Sequence, residues 1–366
     1  MVTGLRGIPN VQGGVETHAE HLYPLLVKMG CDIEILARSP YYSNELPDSW
    51  EGIKIHRLWS PSSSGLEAFL HTFLAVLYAG LKRPDVLHIH AIGPAIMTPL
   101  ARLLGLKVVV THHGPDYDRE KWGKFARWVL QTGERFGMKW SNQRIVISKV
   151  IRDSVLKKFH LTSVLIPNGV VIPEPPVTRL LLDKFKLNPY QYILQVSRIV
   201  PEKRQLDLVK AFSSSPPKGW KLVLTGQLVE NEAYSKELIN TTKENKNIIL
   251  TDFQTGNALS ELYGYAGIFV LPSSHEGLPI ALLEALSYGT RVVASNIPAN
   301  LEIGLPADQY FVLGDTNQLS SRLNHFSQHP YDESQRNHLR DWVAKHYNWQ
   351  VIAEQTLATY KQAIND

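Results

Sequence analysis

At 366 residues the chain is long for one ordinary domain and suits two, and 44% hydrophobic with 20% charged residues exclude a disordered or fibrous protein. Its only cysteine, Cys31, excludes an intrachain disulfide and fits a reducing cytoplasm. The net charge of +4 hides an asymmetry: residues 1–170 hold 20 Lys and Arg against 14 Asp and Glu, and the remainder 18 against 20.

The first residues, MVTGLRGIPNVQGG, lack the apolar core of a signal peptide. Only Met1 and Val2 stand where a strand normally precedes such a turn. NVQGGVETHAEHL then runs from a glycine-rich turn into a helix. Gly13 and Gly14 let the backbone approach an anion, which a helix N-terminus favours. The stretch is not the dinucleotide-binding fingerprint. The β-branched runs DIEILAR, IKIHRLW, VLHIHA, KVVVTHH and RIVIS read as strands alternating with helices, the pattern of a parallel sheet. Between them GLEAFLHTFLAVLYAGL, residues 65–81, holds Glu67 and His71 and falls short of the ~20 apolar residues of a membrane span. It reads as a buried or amphipathic helix.

THHGPDYD places His112, His113 and Gly114 at a strand end, with one histidine free to reach a cleft and the other structural. Residues 119–158 carry 11 basic against 3 acidic side chains. Such a patch draws phosphate, an anionic membrane or nucleic acid; a solvated helix face explains it equally. The aromatic interleaving of single-strand binders is missing, so nucleic acid is not expected. The proline-rich VLIPNGVVIPEPP, residues 164–176, reads as a linker.

A second set of strands follows: YILQVSR, KLVLTGQ, NIILTDF, IFVLPS and RVVASN. SRIVPEKR sets Arg198 and Lys203 just past a strand's carboxyl end, where open α/β sheets bind ligands. Two cations there suit a diphosphate, although surface charge would look the same. In SSHEGLPIALLEALSYG, residues 273–289, Pro279 suits the first helical position. Glu276 then lies before the helix and Glu284 inside it, roughly 12 Å apart at 1.5 Å per residue. Paired glycosidase carboxylates stand about 5–9.5 Å apart. The spacing therefore favours one long ligand held by a carboxylate at each end, against two solvated glutamates on a surface helix. Backbone N–H groups near Gly277 and Leu278 would face a negative centre between them.

Taken in order, GGVE, THHG, PNGV, R-x(4)-K, EGLP-x(4)-E and YGTRVVASNIPANLEI resemble the retaining GT-B glycosyltransferases of family four. THHGPDYDREKWGKFARWVLQTGE resembles the bacterial surface-polysaccharide subgroup, including its rhamnosyltransferase-like members. The resemblance spans nearly the whole chain. It implies an α/β fold of two doubly wound Rossmann-like domains facing a cleft: an acceptor-side domain over residues 1–169, completed by a helix at about 350–366, and a nucleotide-sugar domain over residues 170–349. It also implies roles. Glu276 touches donor-sugar hydroxyls with Gly277 and Leu278, Glu284 holds the ribose, Arg198 and Lys203 grip the diphosphate, and TDFQTG, residues 251–256, meets the base. His113 faces the sugar near the reacting carbon, and Gly14 closes on the phosphates. Ser197, Arg204 and Ala299 stand where glycine is usual.

The implied reaction moves a sugar, with retention, from a nucleotide-diphosphate sugar to a saccharide or lipid-linked acceptor. Its implied setting is the cytoplasm, at the inner face of the cell membrane. No cofactor or metal is expected, since two fixed cations and a helix N-terminus already supply positive charge. A rival is Asp116-Tyr117-Asp118, a D-x-D triplet of the kind that holds a cation in other glycosyltransferases. A nucleotide-sugar 2-epimerase, which needs no acceptor, and a non-catalytic nucleic-acid or membrane-binding module are the alternative functions.

Overall fold

The structure, a computed structural model, describes residues 1–11, 13–41, 48–61, 66–118, 123–229 and 232–366. The chain divides into two units, one comprising Met1–Gly169 with Asn348–Asp366 and the other Val170–Tyr347.

Among the described residues, unit 1 is built on an eight-stranded sheet. Its strands are β1 (Val2–Thr3), β2 (Glu34–Arg38), β3 (Ser49–Trp50), β4 (Ile53–Leu58), β5 (Leu87–His90), β6 (Val108–His112), β7 (Gln143–Val146) and β8 (Val164–Leu165). They lie in the order β3-β4-β2-β1-β5-β6-β7-β8, all parallel except β3 against β4. β5 and β6 are buried along their whole length, as strands covered on both faces must be. The helices are α1 (Gly14–Lys28), α2 (Leu66–Lys82), α3 (Thr98–Leu103), α4 (Lys124–Trp140) and α5 (Lys149–Phe159). From Leu66 on, the run is thus a helix, with Ala75, Val76 and Ala79 inward and Phe69, Phe73, Leu77 and Leu81 exposed.

Among the described residues, unit 2 has six parallel strands, β9 (Tyr192–Val196), β10 (Lys221–Thr225), β11 (Ile248–Asp252), β12 (Ile268–Leu271), β13 (Arg291–Ser295) and β14 (Tyr310–Phe311), in the order β11-β10-β9-β12-β13-β14. Its helices are α6 (Leu180–Phe185), α7 (Gln205–Ser214), α8 (Ala233–Thr242), α9 (Gly256–Gly264), α10 (Ile280–Ser287), α11 (Pro298–Leu301), α12 (Thr316–Gln328) and α13 (Glu333–His346). Leu208 and Phe212 of α7 share a core with Leu222, Val270 and Leu323. The strand order reverses between β9 and β12, the topological switch point at whose carboxyl ends open α/β sheets bind ligands.

The final helix, α14 (Trp349–Asn365), returns to unit 1. Asn348 caps it, its Oδ1 accepting from the backbone N–H groups of Gln350 and Val351. Trp349, Ile352, Ala353, Tyr360 and Ala363 complete the core around Leu22, Tyr23 and Leu26 of α1.

Candidate functional site

In unit 2 the loop after β9 carries Arg198 and Lys203, and the loop after β12 carries Glu276. Because β9 and β12 are hydrogen-bonded neighbours, these loops meet: Ser274 N–H donates to the Glu202 carbonyl at 2.9 Å. Lys203 Nζ then sits 2.6 Å from Glu276 Oε1, with the two side chains 16% and 10% exposed. The Arg198 guanidinium lies 3.8 Å from the buried Glu202 carboxylate. The two expected diphosphate cations therefore each face an acid, and the cluster is close to neutral.

Arg204 adopts φ 51°, the left-handed conformation that glycine takes without penalty, and this accounts for the glycine usual at that position. Its Nε donates to Asp207 Oδ2 at 2.6 Å, tying the residue to the first turn of α7.

Pro279 is the residue before α10 rather than its first residue, a correction of one position. Gly277 is half-buried and Leu278 buried in the loop leading to that helix. Glu284, in the second turn, accepts from Tyr263 Oη at 2.9 Å. Tyr263 stacks on Tyr288 at 5.5 Å between ring centroids, and burial raises its hydroxyl pKa well above the ordinary value, with Glu284 adding to the shift. Glu276 and Glu284 thus hold different partners. In TDFQTG, Asp252 takes φ 60° and its Oδ1 accepts from the N–H groups of Phe253 and Leu228, and the Phe253 ring is exposed.

In unit 1, Gly14 is the exposed first residue of α1, with open space where a Cβ would stand. His112 and His113 have different surroundings. His112 is buried and its Nε2 lies 3.0 Å from Glu134 Oε1. Burial pushes the Glu134 carboxyl up, but His112, Lys158 and Tyr117 outweigh it and hold the group below its usual range. His113 instead joins an array that the sequence reading missed. Its Nε2 is 2.8 Å from His90 Nδ1, His90 Nε2 is 2.5 Å from Tyr23 Oη, and His88 Nδ1 lies between Tyr23 Oη (3.2 Å) and Tyr360 Oη (2.7 Å). His18 packs edge-on to His113 at 5.2 Å and bonds Asn168 Oδ1 at 3.0 Å. Burial lowers the His18 pKa to about 4 and those of His88, His90 and His113 well below the ordinary imidazole value. The rings are neutral, so each nitrogen's neighbour sets its tautomer. One signal was available: His88 and His90 alternate in VLHIHA, which puts both on one face of a strand.

Asp116 and Asp118 flank the buried Tyr117 in a single 3₁₀ turn of unit 1, whereas Arg198 and Lys203 belong to unit 2. Residues 119–122 of the basic stretch lie outside the described residues.

Two doubly wound parallel sheets, one with a cation pair and a carboxylate at its topological switch point, define the GT-B class of protein. The fold is shared with sucrose-phosphate synthase from Thermosynechococcus elongatus, at a TM-score of 0.84 and 18% identity over 100% of this chain and 98% of that one. Residues 12–172 match Glycosyltransferase Family 4, and residues 182–346 match Glycosyl transferases group 1. The chain belongs to these glycosyltransferases. Among relatives, UDP-Gal:alpha-D-GlcNAc-diphosphoundecaprenol alpha-1,3-galactosyltransferase of Escherichia coli is 28% identical over 62% of this chain and 62% of its own. The O-antigen chain mannosyltransferase B of Escherichia coli is 26% identical over 59% of this chain and 60% of its own. The match thus spans about three-fifths of the length of either relative.

Proposed function

We propose that this chain transfers a hexosyl or deoxyhexosyl group, with retention, from a nucleotide-diphosphate sugar to a saccharide or lipid-linked acceptor in surface-polysaccharide synthesis. The observation that carries the reading is the meeting of Arg198, Lys203 and Glu276 at the β9/β12 switch point. A diphosphate would take Lys203 from Glu276 and free that carboxylate to accept from sugar hydroxyls. Arg198 and Lys203 then stabilise the charge growing on the leaving diphosphate as its bond to the anomeric carbon lengthens. The acceptor hydroxyl enters on the face being vacated, and its proton passes to the departing phosphate. Glu284 is assigned the ribose, Gly277 and Leu278 the sugar and phosphate through their backbone. From unit 1, Gly14 is assigned the phosphates and His113 the sugar. The relatives named for a UDP-galactose donor and for an O-antigen chain support the donor and acceptor classes.

Transfer on this reading needs no divalent metal, and the protein works in the cytoplasm against an anionic membrane surface. No described helix is long and apolar enough to cross a membrane.

Thermal unfolding against a panel of nucleotide sugars tests the donor class, since a ligand that binds only the folded state raises stability by RT ln(1 + [L]/Kd). The donor so found should give a product whose anomeric configuration, read by NMR, matches the donor's. Turnover should survive excess EDTA. An inverted linkage would overturn the mechanism, and loss with EDTA restored by Mg²⁺ or Mn²⁺ would move the diphosphate site to Asp116 and Asp118.

A further inference from the structure

Ser197 stands one residue beyond β9, where the family pattern usually has glycine. Its Oγ lies 2.9 Å from Gln205 Nε2 and, more loosely, 3.4 Å from Gln195 Nε2. Both glutamines are at most 1% exposed. The orientation of their amides is fixed by what else they touch: Gln205 Nε2 is 2.8 Å from the Arg198 carbonyl, and Gln195 Nε2 is 2.9 Å from the Lys203 carbonyl. A carbonyl oxygen only accepts, so the atom facing it must be the amide nitrogen. Each NH₂ spends one hydrogen on a loop carbonyl and offers the other to Ser197.

A hydroxyl oxygen has two acceptor lone pairs and one hydrogen to donate. At Ser197 both lone pairs are taken from the buried side. Its O–H is left to donate, and among the described residues it has no acceptor. Both amide oxygens are also without a partner among the described residues. A buried acceptor left bare costs stability, so the two glutamines are held here for their N–H groups. The same N–H groups clip the backbone of Arg198 and Lys203. One pair of side chains therefore fixes three groups that present positive charge or a polar hydrogen on one loop.

We infer that the Ser197 hydroxyl donates to a phosphoryl oxygen of a bound nucleoside diphosphate, turned outward by Gln195 and Gln205 as positioning residues. The inference rests on the donor reading of Arg198 and Lys203. It adds a ligand group that glycine at this position could not supply.

The test compares the parent chain with Ser197→Ala and Ser197→Thr. The affinities measured are for whichever of UDP, GDP, ADP and dTDP the parent binds best, and for the matching nucleoside without phosphate. Hydrogen bonds to charged groups are strong enough that Ser197→Ala should weaken the diphosphate about ten- to a hundredfold. The nucleoside should change less than about twofold, and Ser197→Thr, which keeps the hydroxyl, should stay near the parent. Where alanine disturbs folding, Ser197→Gly serves in its place, with the same loss expected. Equal diphosphate binding by parent and Ala or Gly variants would overturn the inference alone. Equal weakening of diphosphate and nucleoside would also overturn it, by making the serine a support of the fold. A parent chain that binds none of the four diphosphates would overturn the donor reading and this inference with it.

Discussion

Lys203 and Glu276 are 73 positions apart in the chain and 2.6 Å apart in space. Each stood out in the sequence as a candidate, because R-x(4)-K beyond one strand and EGLP-x(4)-E before one helix are local patterns. Their pairing was not legible, since it depends on β9 and β12 being neighbours in the sheet. Removing one partner of a well-buried ion pair leaves the other charge uncompensated, so each alanine variant alters the site's charge as well as a contact. Glu276→Ala and Lys203→Ala should each lower kcat/KM for transfer about a hundredfold or more, the usual scale for a positioned transition-state contact. Thermal unfolding should show both still folded. Activity within tenfold of the parent in both variants would remove these residues from the site. The histidine array escaped the sequence reading for a related reason: His18 lies on α1, His88 and His90 on β5 and His113 just past β6, and only tertiary packing gathers them.

At the scale of elements, every strand of four or more residues was visible as a β-branched run. β3, β8 and β14 have two residues each, too few for any periodicity to register. β8 also falls inside the stretch that its prolines mark as linker. Charge marked α4 and α5 without saying which side chains face outward. On α4, Lys124, Phe125, Trp128, Arg135 and Lys139 are exposed, while Gly133, Glu134, Gly137 and Met138 are buried. Phe125 and Trp128 stack at 6.1 Å. On α2 the exposed Phe69, Phe73, Leu77 and Leu81 recur every fourth residue, a stripe along one side. Aromatic and aliphatic side chains beside cations suit the interface of an anionic bilayer. Liposomes containing anionic lipid should bind the protein, and binding should weaken as added salt shortens the electrostatic reach to about 8 Å at 0.15 M. Phe125→Ser with Trp128→Ser should weaken binding at every salt concentration. Indifference to lipid charge would refute this face as a docking surface.

Over the whole molecule, buried neutral histidines make stability depend on acid. His18 titrates near 6.5 when unfolded and at about 4 when folded. Below pH 6.5 the unfolded chain therefore binds a proton that the folded chain refuses, so stability falls with falling pH until about pH 4. The slope is about 1.4 kcal/mol per pH unit for each such histidine, and His88, His90 and His113 shift in the same direction. The melting temperature should be nearly flat above pH 7 and drop steeply below pH 6. His18→Gln should make that drop shallower by about one proton's worth. Identical slopes for parent and variant would mean that His18 is protonated in the folded state.

Unit 1 is interrupted in the chain by the whole of unit 2. The α1 face built from Leu22, Tyr23 and Leu26 is covered by α14, whose residues are translated only after residues 170–347. At about 5–20 residues per second, a growing chain carries that uncovered face for roughly 10–35 s while the second unit is made and can already fold. Vectorial synthesis thus completes the later unit first, and a chain cut short just after Tyr347 has its second unit whole and its first unsealed.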